Sequence, residues 1–435
     1  MNCFAGLGAS SCLRAGRVLA RAPLLAVLAV LGAPGQALAG EPFPLARIEE
    51  LARKTNPALR AAAADIDAAS AGVQTARAFP NPEVEYIGGT MRYRPGVSGN
   101  SGAADSMSLT QPLDLPFRRT PRIEAARAGL LASKAGYAAF EVDWMADLRL
   151  AYFGLLRRSA ETVNAQADLT LMQSVYDRIR LRVTQGDAPR IELIRAEADL
   201  LNVQKSAQAA ALREEQARLQ LRALAGPELP ADFAVAGQLD APLPLLPLAR
   251  LEEQALADNP VLARARAQAE QARHTLDYEE AGRLPTVALR AVRETDREMR
   301  QTRVGVTLSV PLWDRRLGPV REAQARVAQS DLQLDARSYA IRQQLEIAWR
   351  QHEVARTQVT ALEGGLVAQA RAAVNVAETA YKAGERGLID VLDAQRVYRA
   401  ARADLIASRY ELAAAWVEIQ RLVAPADPVA ARNIP

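Results

Sequence analysis

Cysteine is nearly absent from this chain. The 435 residues contain two, Cys3 and Cys12, both within the first dozen positions. The remainder can hold no disulfide, thiolate metal site or catalytic cysteine. Cys12 follows "GASS" with no apolar run before it, so it does not look like a lipoprotein site. Histidine is as scarce: His274 and His352 are far apart in sequence and show no HExxH spacing. No glycine-rich phosphate loop precedes a helix, and no GxSxG elbow occurs, so the usual marks of an enzyme are missing. Aromatic residues are 5% of the chain. Trp144, Tyr152, Trp349 and Trp416 read as packing residues, and no cofactor box is seen. Beyond the N-terminal region, no apolar run reaches the ~20 residues that a membrane-spanning helix needs.

What is present begins with an export signal. Arg14, Arg17 and Arg21 precede the apolar run "PLLAVLAVLGA" and a small-residue "ALA" at 37–39. That order is the pattern of a secretory signal peptide, with cleavage expected after Ala39. An uncleaved anchor is the weaker reading, because the run is short for a span. The signal holds three arginines and no acid, so the mature net charge is (54 − 3) − 50 = +1. A nucleic-acid partner has no support from that balance.

Residues 40–435 read as one domain built from two internal repeats, about 46–227 and 249–425. Asn56-Pro57 is answered by Asn259-Pro260, and "LTQPLDLPFRR" by "LSVPLWDRR". "QGDAPRIELIRAE" is answered by "AGERGLIDVLDAQ", an offset of 198 between Gly186 and Gly384. Two copies signify a duplication rather than a solenoid. Each copy reads as helix, strand pair, very long helix, bend and helix. The first helices are expected at about 46–78 and 249–283. No proline occurs from Arg122 to Ala188 or from Val320 to Ala424. A helix of ~65 residues is ~100 Å long, which points to coiled coils or helical walls. Leu169, Met172, Tyr176, Ile179 and Val183 form one seam, as do Val359, Leu362 and Leu366. Tyr398, Leu405, Leu412 and Ile419 recur every seven residues.

Between the helices the period changes to two. Val304, Val306, Leu308 and Val310 alternate with small or polar residues, and Val287, Leu289 and Ala291 form the other arm of a hairpin. "PEVEYIGGTMRYR" and "DSMSLTQPLDL" make a second pair around the loop "PGVSGNSGAA". Four segments of roughly ten residues, apolar on one face, match transmembrane strands. Four strands cannot close a barrel, and an open sheet cannot sit in lipid. Several chains must supply strands together if these cross a membrane.

The stretch "GERGLIDVLDAQ" (384–395) carries Asp390 and Asp393 on one helix face after a glycine-flanked bend. Taken alone, such a pair can be catalytic, metal-binding, a solvated cap or a charged ring in an oligomer.

The duplicated plan, the early "NP" of each copy, the "PL" strand ends and "YKAGERGLIDVLDAQ" together resemble the TolC-like outer membrane efflux factors. "RAFPNPEVEY" and "QPLDLPFRRTPRIEAARA" resemble the CzcC-like branch, associated with cobalt, zinc and cadmium export. The resemblance covers essentially the whole mature chain. It implies a mainly α fold with a small β part, a homotrimer, a periplasmic α-barrel of long coiled-coil helices, and a 12-stranded outer membrane β-barrel with four strands per protomer. It implies a passive duct without cofactor or resident metal, working with a periplasmic adaptor (membrane fusion) protein and an inner membrane RND pump. Asp390 and Asp393 match lumen-facing aspartates where the tunnel narrows. Arg386 and Tyr381 match residues that hold the tip closed. Glu192 stands where the family usually has an aspartate, and Pro189 in the first bend is a further departure. Gly186, Gly384 and Gly387 mark the helix bends expected to meet the adaptor.

The rival readings are a duct for drugs or other organic compounds, and a periplasmic coiled-coil scaffold or adaptor. The scaffold leaves the two strand hairpins unexplained. A metal duct needs no ligand set of its own, so the scarcity of histidine and cysteine does not separate metals from drugs.

Overall fold

A computed structural model describes residues 42–425. The expected signal peptide at 1–39, with Cys3 and Cys12, lies outside the described residues. The elements run α1 (Leu45–Thr55), α2 (Pro57–Arg77), β1 (Glu83–Met91), β2 (Gly102–Leu113), α3 (Pro116–Gln185) and α4 (Arg190–Ala225). The same order then recurs: α5 (Leu248–Asp258), α6 (Pro260–Ala281), β3 (Thr286–Thr295), β4 (Arg300–Ser309), α7 (Leu317–Ala361), a π-helical segment (Leu362–Leu366), α8 (Val367–Lys382) and α9 (Leu388–Val423).

The first helix of each copy, expected unbroken, is in fact two. Proline has no N–H and drives the residue before it out of the helical region, so Asn56 and Asn259 are extended. Each asparagine then caps the next helix. Asn56 Oδ1 accepts from Ala58 N at 2.8 Å and its Nδ2 donates to Leu224 O at 2.8 Å. Asn259 does the same with Val261 N and Leu422 O, both at 2.8 Å. Both side chains are buried with their polar atoms satisfied. Asn259→Ala removes the cap and strands the Leu422 carbonyl, a loss of about 2–3 kcal/mol. The melting midpoint of the detergent-solubilised protein is expected to fall by several degrees, and Asn259→Asp, which keeps the cap oxygen but sets a buried carboxylate against the Leu422 carbonyl, is expected to fall as well. An unchanged midpoint would contradict the capping role.

The long helices are longer than the proline-free stretch indicates. α3 spans 70 residues, about 105 Å at 1.5 Å per residue. It starts at Pro116 and runs through Pro121 instead of starting at Arg122. The lost bond lies near the helix start, and Asp114 secures this corner with Arg122 at 2.6 Å and Arg119 at 3.6 Å. In the second copy the π-helical segment falls on Glu363-Gly364-Gly365. It breaks the expected Val359–Leu362–Leu366 seam: Leu362 is buried but Leu366 is exposed. The first seam holds, since Met172 and Ile179 are buried with Leu169, Tyr176 and Val183 packed against them. Tyr398, Leu405 and Leu412 are half-buried and Ile419 is fully buried.

All four strands are antiparallel in the order β1-β2-β3-β4. The register puts Leu113, Val287 and Leu308 in one row, Gln111, Leu289 and Val306 in the next, and Val84, Leu109, Ala291 and Val304 in a third. These rows share one face, because side chains alternate along a strand. Its valines and leucines lie bare apart from the half-buried Val287; Val304 is 78% exposed. The opposite face carries Glu85, Arg290, Glu294 and Arg303, joined as Arg290–Glu85 at 3.6 Å and Arg303–Glu294 at 2.6 Å. β1 and β4 are open edges. Among the described residues no helix is long and apolar enough to cross a membrane.

Candidate functional site

Both helix bends are built by one device. Gly186 (φ 84°) and Gly384 (φ 79°) are left-handed, where a Cβ is strained. Gly186 N donates to Val183 O and Asp187 N to Arg182 O, at 3.2 and 2.8 Å. Gly384 N and Glu385 N repeat this with Tyr381 O and Ala380 O, at 3.1 and 3.0 Å. Both are Schellman closures, which satisfy the last helix carbonyls. Gly387 differs: it is extended and serves as the N-cap position of α9. Pro189 holds the equivalent place before α4, pre-set for helix entry.

A buried cluster joins the two bends. Met172, Val175 and Ile179 of α3, Ala196, Leu200 and Val203 of α4, and Leu388 and Leu392 of α9 pack together. Over this cluster Tyr381 Oη donates to Glu192 Oε2 at 3.1 Å. Arg182 lies on the Tyr381 ring, 5.1 Å from its centroid. Burial, and then the bond to Glu192 and its charge, push the Tyr381 phenol up, while Arg182 opposes them. A raised phenol pKa keeps this donor protonated through the ordinary tyrosine range. A cleft of about 360 Å³ beside it is lined by Val175, Ile179, Arg182, Tyr381, Leu388 and Val391.

The expected trio of Arg386, Tyr381 and Glu192 is thus brought together only in part. Arg386 sits in the bend itself and approaches Asp390 at 4.0 Å, one turn along. It makes no hydrogen bond or ion pair with Glu192 or Tyr381 among the described residues. Asp393 approaches Arg396 at 3.9 Å and is 70% exposed. Asp390 and Asp393 are therefore held only by weak local pairs on an open face. Arg182, which sequence reasoning missed, takes the cationic place beside Tyr381. Its position in the last turn of α3, one turn before Gly186, was the available signal. Arg402, also missed, ties α9 to α3 through Asp168 at 3.1 Å. Burial pushes the Asp168 carboxyl up, against the pull of Arg402. No group of three or more histidine, cysteine or carboxylate side chains among the described residues is placed to hold a metal ion.

Long paired helices, an open four-stranded sheet with a bare apolar face, and two turns at one end of the helices narrow the choice of family. The family model described as "Outer membrane efflux protein" matches residues 49–227 and 251–424. The chain belongs to that family. It is 26% identical over 366 residues to the cobalt-zinc-cadmium resistance protein CzcC of Cupriavidus metallidurans, covering 84% of this chain and 86% of that protein. It is 25% identical to the outer membrane protein TolC of Escherichia coli, covering 89% and 83%. Among solved structures it is similar to the outer membrane protein VceC from Vibrio cholerae, with a TM-score of 0.75 at 18% identity, covering 88% and 96%. This outer membrane efflux protein is accordingly a passive channel and not an enzyme, with the TolC-like fold and a large periplasmic helical part.

Proposed function

We propose that three copies close a twelve-stranded barrel in the outer membrane, and that the trimer is the exit duct of a tripartite efflux system for heavy-metal cations. The observation that carries the assembly is the sheet: an apolar, bare face with two open edges is unstable in lipid unless further strands complete it. Pairing β4 of one copy with β1 of the next removes every edge, and the polar face with its Arg–Glu pairs then lines the pore. Trp313, 93% exposed just after β4, suits the membrane boundary, where indole rings concentrate. Cysteine-pair scanning between β4 and β1 tests the closure, since positions 40–435 contain no native cysteine. Cross-linked trimers are expected, and a scan that yields none argues for another assembly.

The substrate class rests on the relatives, which include the nickel-cobalt-cadmium resistance protein NccC of Alcaligenes xylosoxydans xylosoxydans, 26% identical over 319 residues. Selection belongs to an inner membrane pump and a periplasmic adaptor, the latter meeting the bends at Gly186, Gly384 and Gly387. Deleting the gene should lower tolerance to cobalt, zinc or cadmium while leaving tolerance to organic drugs unchanged. The reverse result would favour a drug duct.

At the tip, Tyr381, Glu192 and Arg182 act as a lock within each protomer, and Arg386 is left free to meet a neighbouring copy. Asp390 and Asp393, repeated threefold, form a ring of six carboxylates that attracts cations. Replacing both with asparagine is expected to relieve block by divalent or trivalent cations from the periplasmic side, with conductance otherwise little changed. Unaltered block would remove the ring from the account. The mature protein begins at Gly40 without acylation, which its intact mass tests.

A further inference from the structure

We infer that the hairpin end of the sheet docks phosphate-bearing lipid headgroups of the outer leaflet, through Arg293 and Arg300 on the apolar face and Arg92, Arg94 and Arg297 at the turns. The inference rests on the barrel reading above, which turns this face toward lipid. Beyond the three apolar rows the register gives Tyr86, Met107, Arg293 and Thr302, and then Gly88, Asp105, Thr295 and Arg300. The face thus passes from bare aliphatic side chains to exposed arginines within two rows. An arginine at such a border keeps its stem on the apolar band and its guanidinium at headgroup level.

The two faces treat arginine differently. On the polar face Arg290 and Arg303 are each paired with a carboxylate. The guanidinium groups of Arg92, Arg94, Arg293, Arg297 and Arg300 have no ion pair or hydrogen bond among the described residues. The acids nearby are engaged elsewhere. Asp296 accepts from Glu298 N at 2.8 Å and Met299 N at 2.7 Å, closing its own turn. Glu298 accepts from Asn100 N and from Tyr93 Oη. Glu294 is taken by Arg303 and by Gln301. Asp105 is the one carboxylate on the apolar side. Residues 92–105 and 293–303 hold six arginines and four acids, a net charge of 6 − 4 = +2. A neighbouring copy would not neutralise it, because β1 presents Val84, Tyr86, Gly88 and Thr90 on this face. Guanidinium groups match phosphate oxygens bidentately, so the free partners required are phosphates at the lipid surface.

Each arginine near an anionic headgroup surface contributes about fivefold in affinity, so removing two should cost about 25-fold. Native mass spectrometry of the full protein in mild detergent, titrated with bisphosphorylated lipid A, reads this directly. Arg293→Gln with Arg300→Gln is expected to weaken binding about 25-fold, and dephosphorylated lipid A should bind the parent protein equally poorly. Undiminished binding by the variant, equal binding of dephosphorylated lipid A, or displacement of lipid A by millimolar inorganic phosphate would overturn the proposal. Quenching by brominated lipid of the emission lost in Trp313→Phe tells which reading has failed. Parent protein without quenching overturns the barrel and the lipid site together. Quenching retained in parent and variant, with headgroup-blind binding, overturns the lipid site alone.

Discussion

Val304→Arg is expected to keep the chain out of the outer membrane. Val304 lies in the row with Val84, Leu109 and Ala291, inside the apolar band of the sheet, and is more exposed than any other aliphatic residue of that face. A lipid-facing arginine costs about 2–4 kcal/mol at the bilayer midplane and less toward the border. Val304 lies one row inside Arg293, so each copy costs about 1–2 kcal/mol and three symmetric copies about 3–6 kcal/mol per barrel. That is a large part of the stability of an ordinary domain. Thr307→Arg, on the same strand but the opposite face, supplies the control, because its guanidinium would sit in the aqueous pore. After a carbonate wash, Thr307→Arg should stay with the outer membrane fraction and Val304→Arg should be released or degraded. Equal retention of both would mean that this face does not meet lipid.

Opening the tip is the second large effect expected. Tyr381→Phe with Glu192→Gln removes the one hydrogen bond between α8 and α4 among the described residues, and Arg182→Glu sets like charges beside Glu192. These groups are partly exposed, so each lock is worth about 1 kcal/mol, in line with surface pairs. Three copies give about 3 kcal/mol, enough to shift a closed-to-open ratio roughly a hundredfold. Single-channel conductance in a planar bilayer should rise several-fold for either variant. Arg386→Glu should do less in a single protomer's lock, since Arg386 makes no hydrogen bond or ion pair with either partner among the described residues. The alkaline limb has a definite sign. The Tyr381 pKa is raised on folding, so the donor is intact below the ordinary tyrosine value and lost only as pH climbs through the raised one. As far as the phenol governs it, closure should be flat from pH 7 to 9 and fail only above ~10. A conductance that is unchanged in all three variants would reduce the bends to capped helix turns.

The strands and the bends were legible because local chemistry decides them. A period of two along Val304, Val306 and Leu308 has one meaning on a pleated surface, and a glycine at φ 84° or 79° follows from how a long helix must end. Val310, the fourth residue of that pattern, falls just past β4, where the strand has already ended. The split of the first helices was also written in Asn56-Pro57 and Asn259-Pro260. It was overlooked because the cap is completed by Leu224 and Leu422, more than 160 residues away. Arg182 and Arg402 were hidden for a related reason: among 54 basic residues, no local pattern distinguishes the one that crosses to another helix. The π-helical segment left only Gly364-Gly365 as a trace, and heptad counting carried the seam straight through it. Trp313 is the most exposed large hydrophobic side chain among the described residues, and periodicity does not mark it, because its meaning depends on a membrane that sequence periodicity alone does not locate.

On this reading the four strands of each chain are completed only by other copies. Native mass spectrometry of the protein extracted from outer membranes tests it most directly. Three times the mature chain mass is expected, with no barrel-inserted monomer at any dilution that preserves the membrane-embedded form. A stable single chain that conducts ions in a bilayer would contradict it.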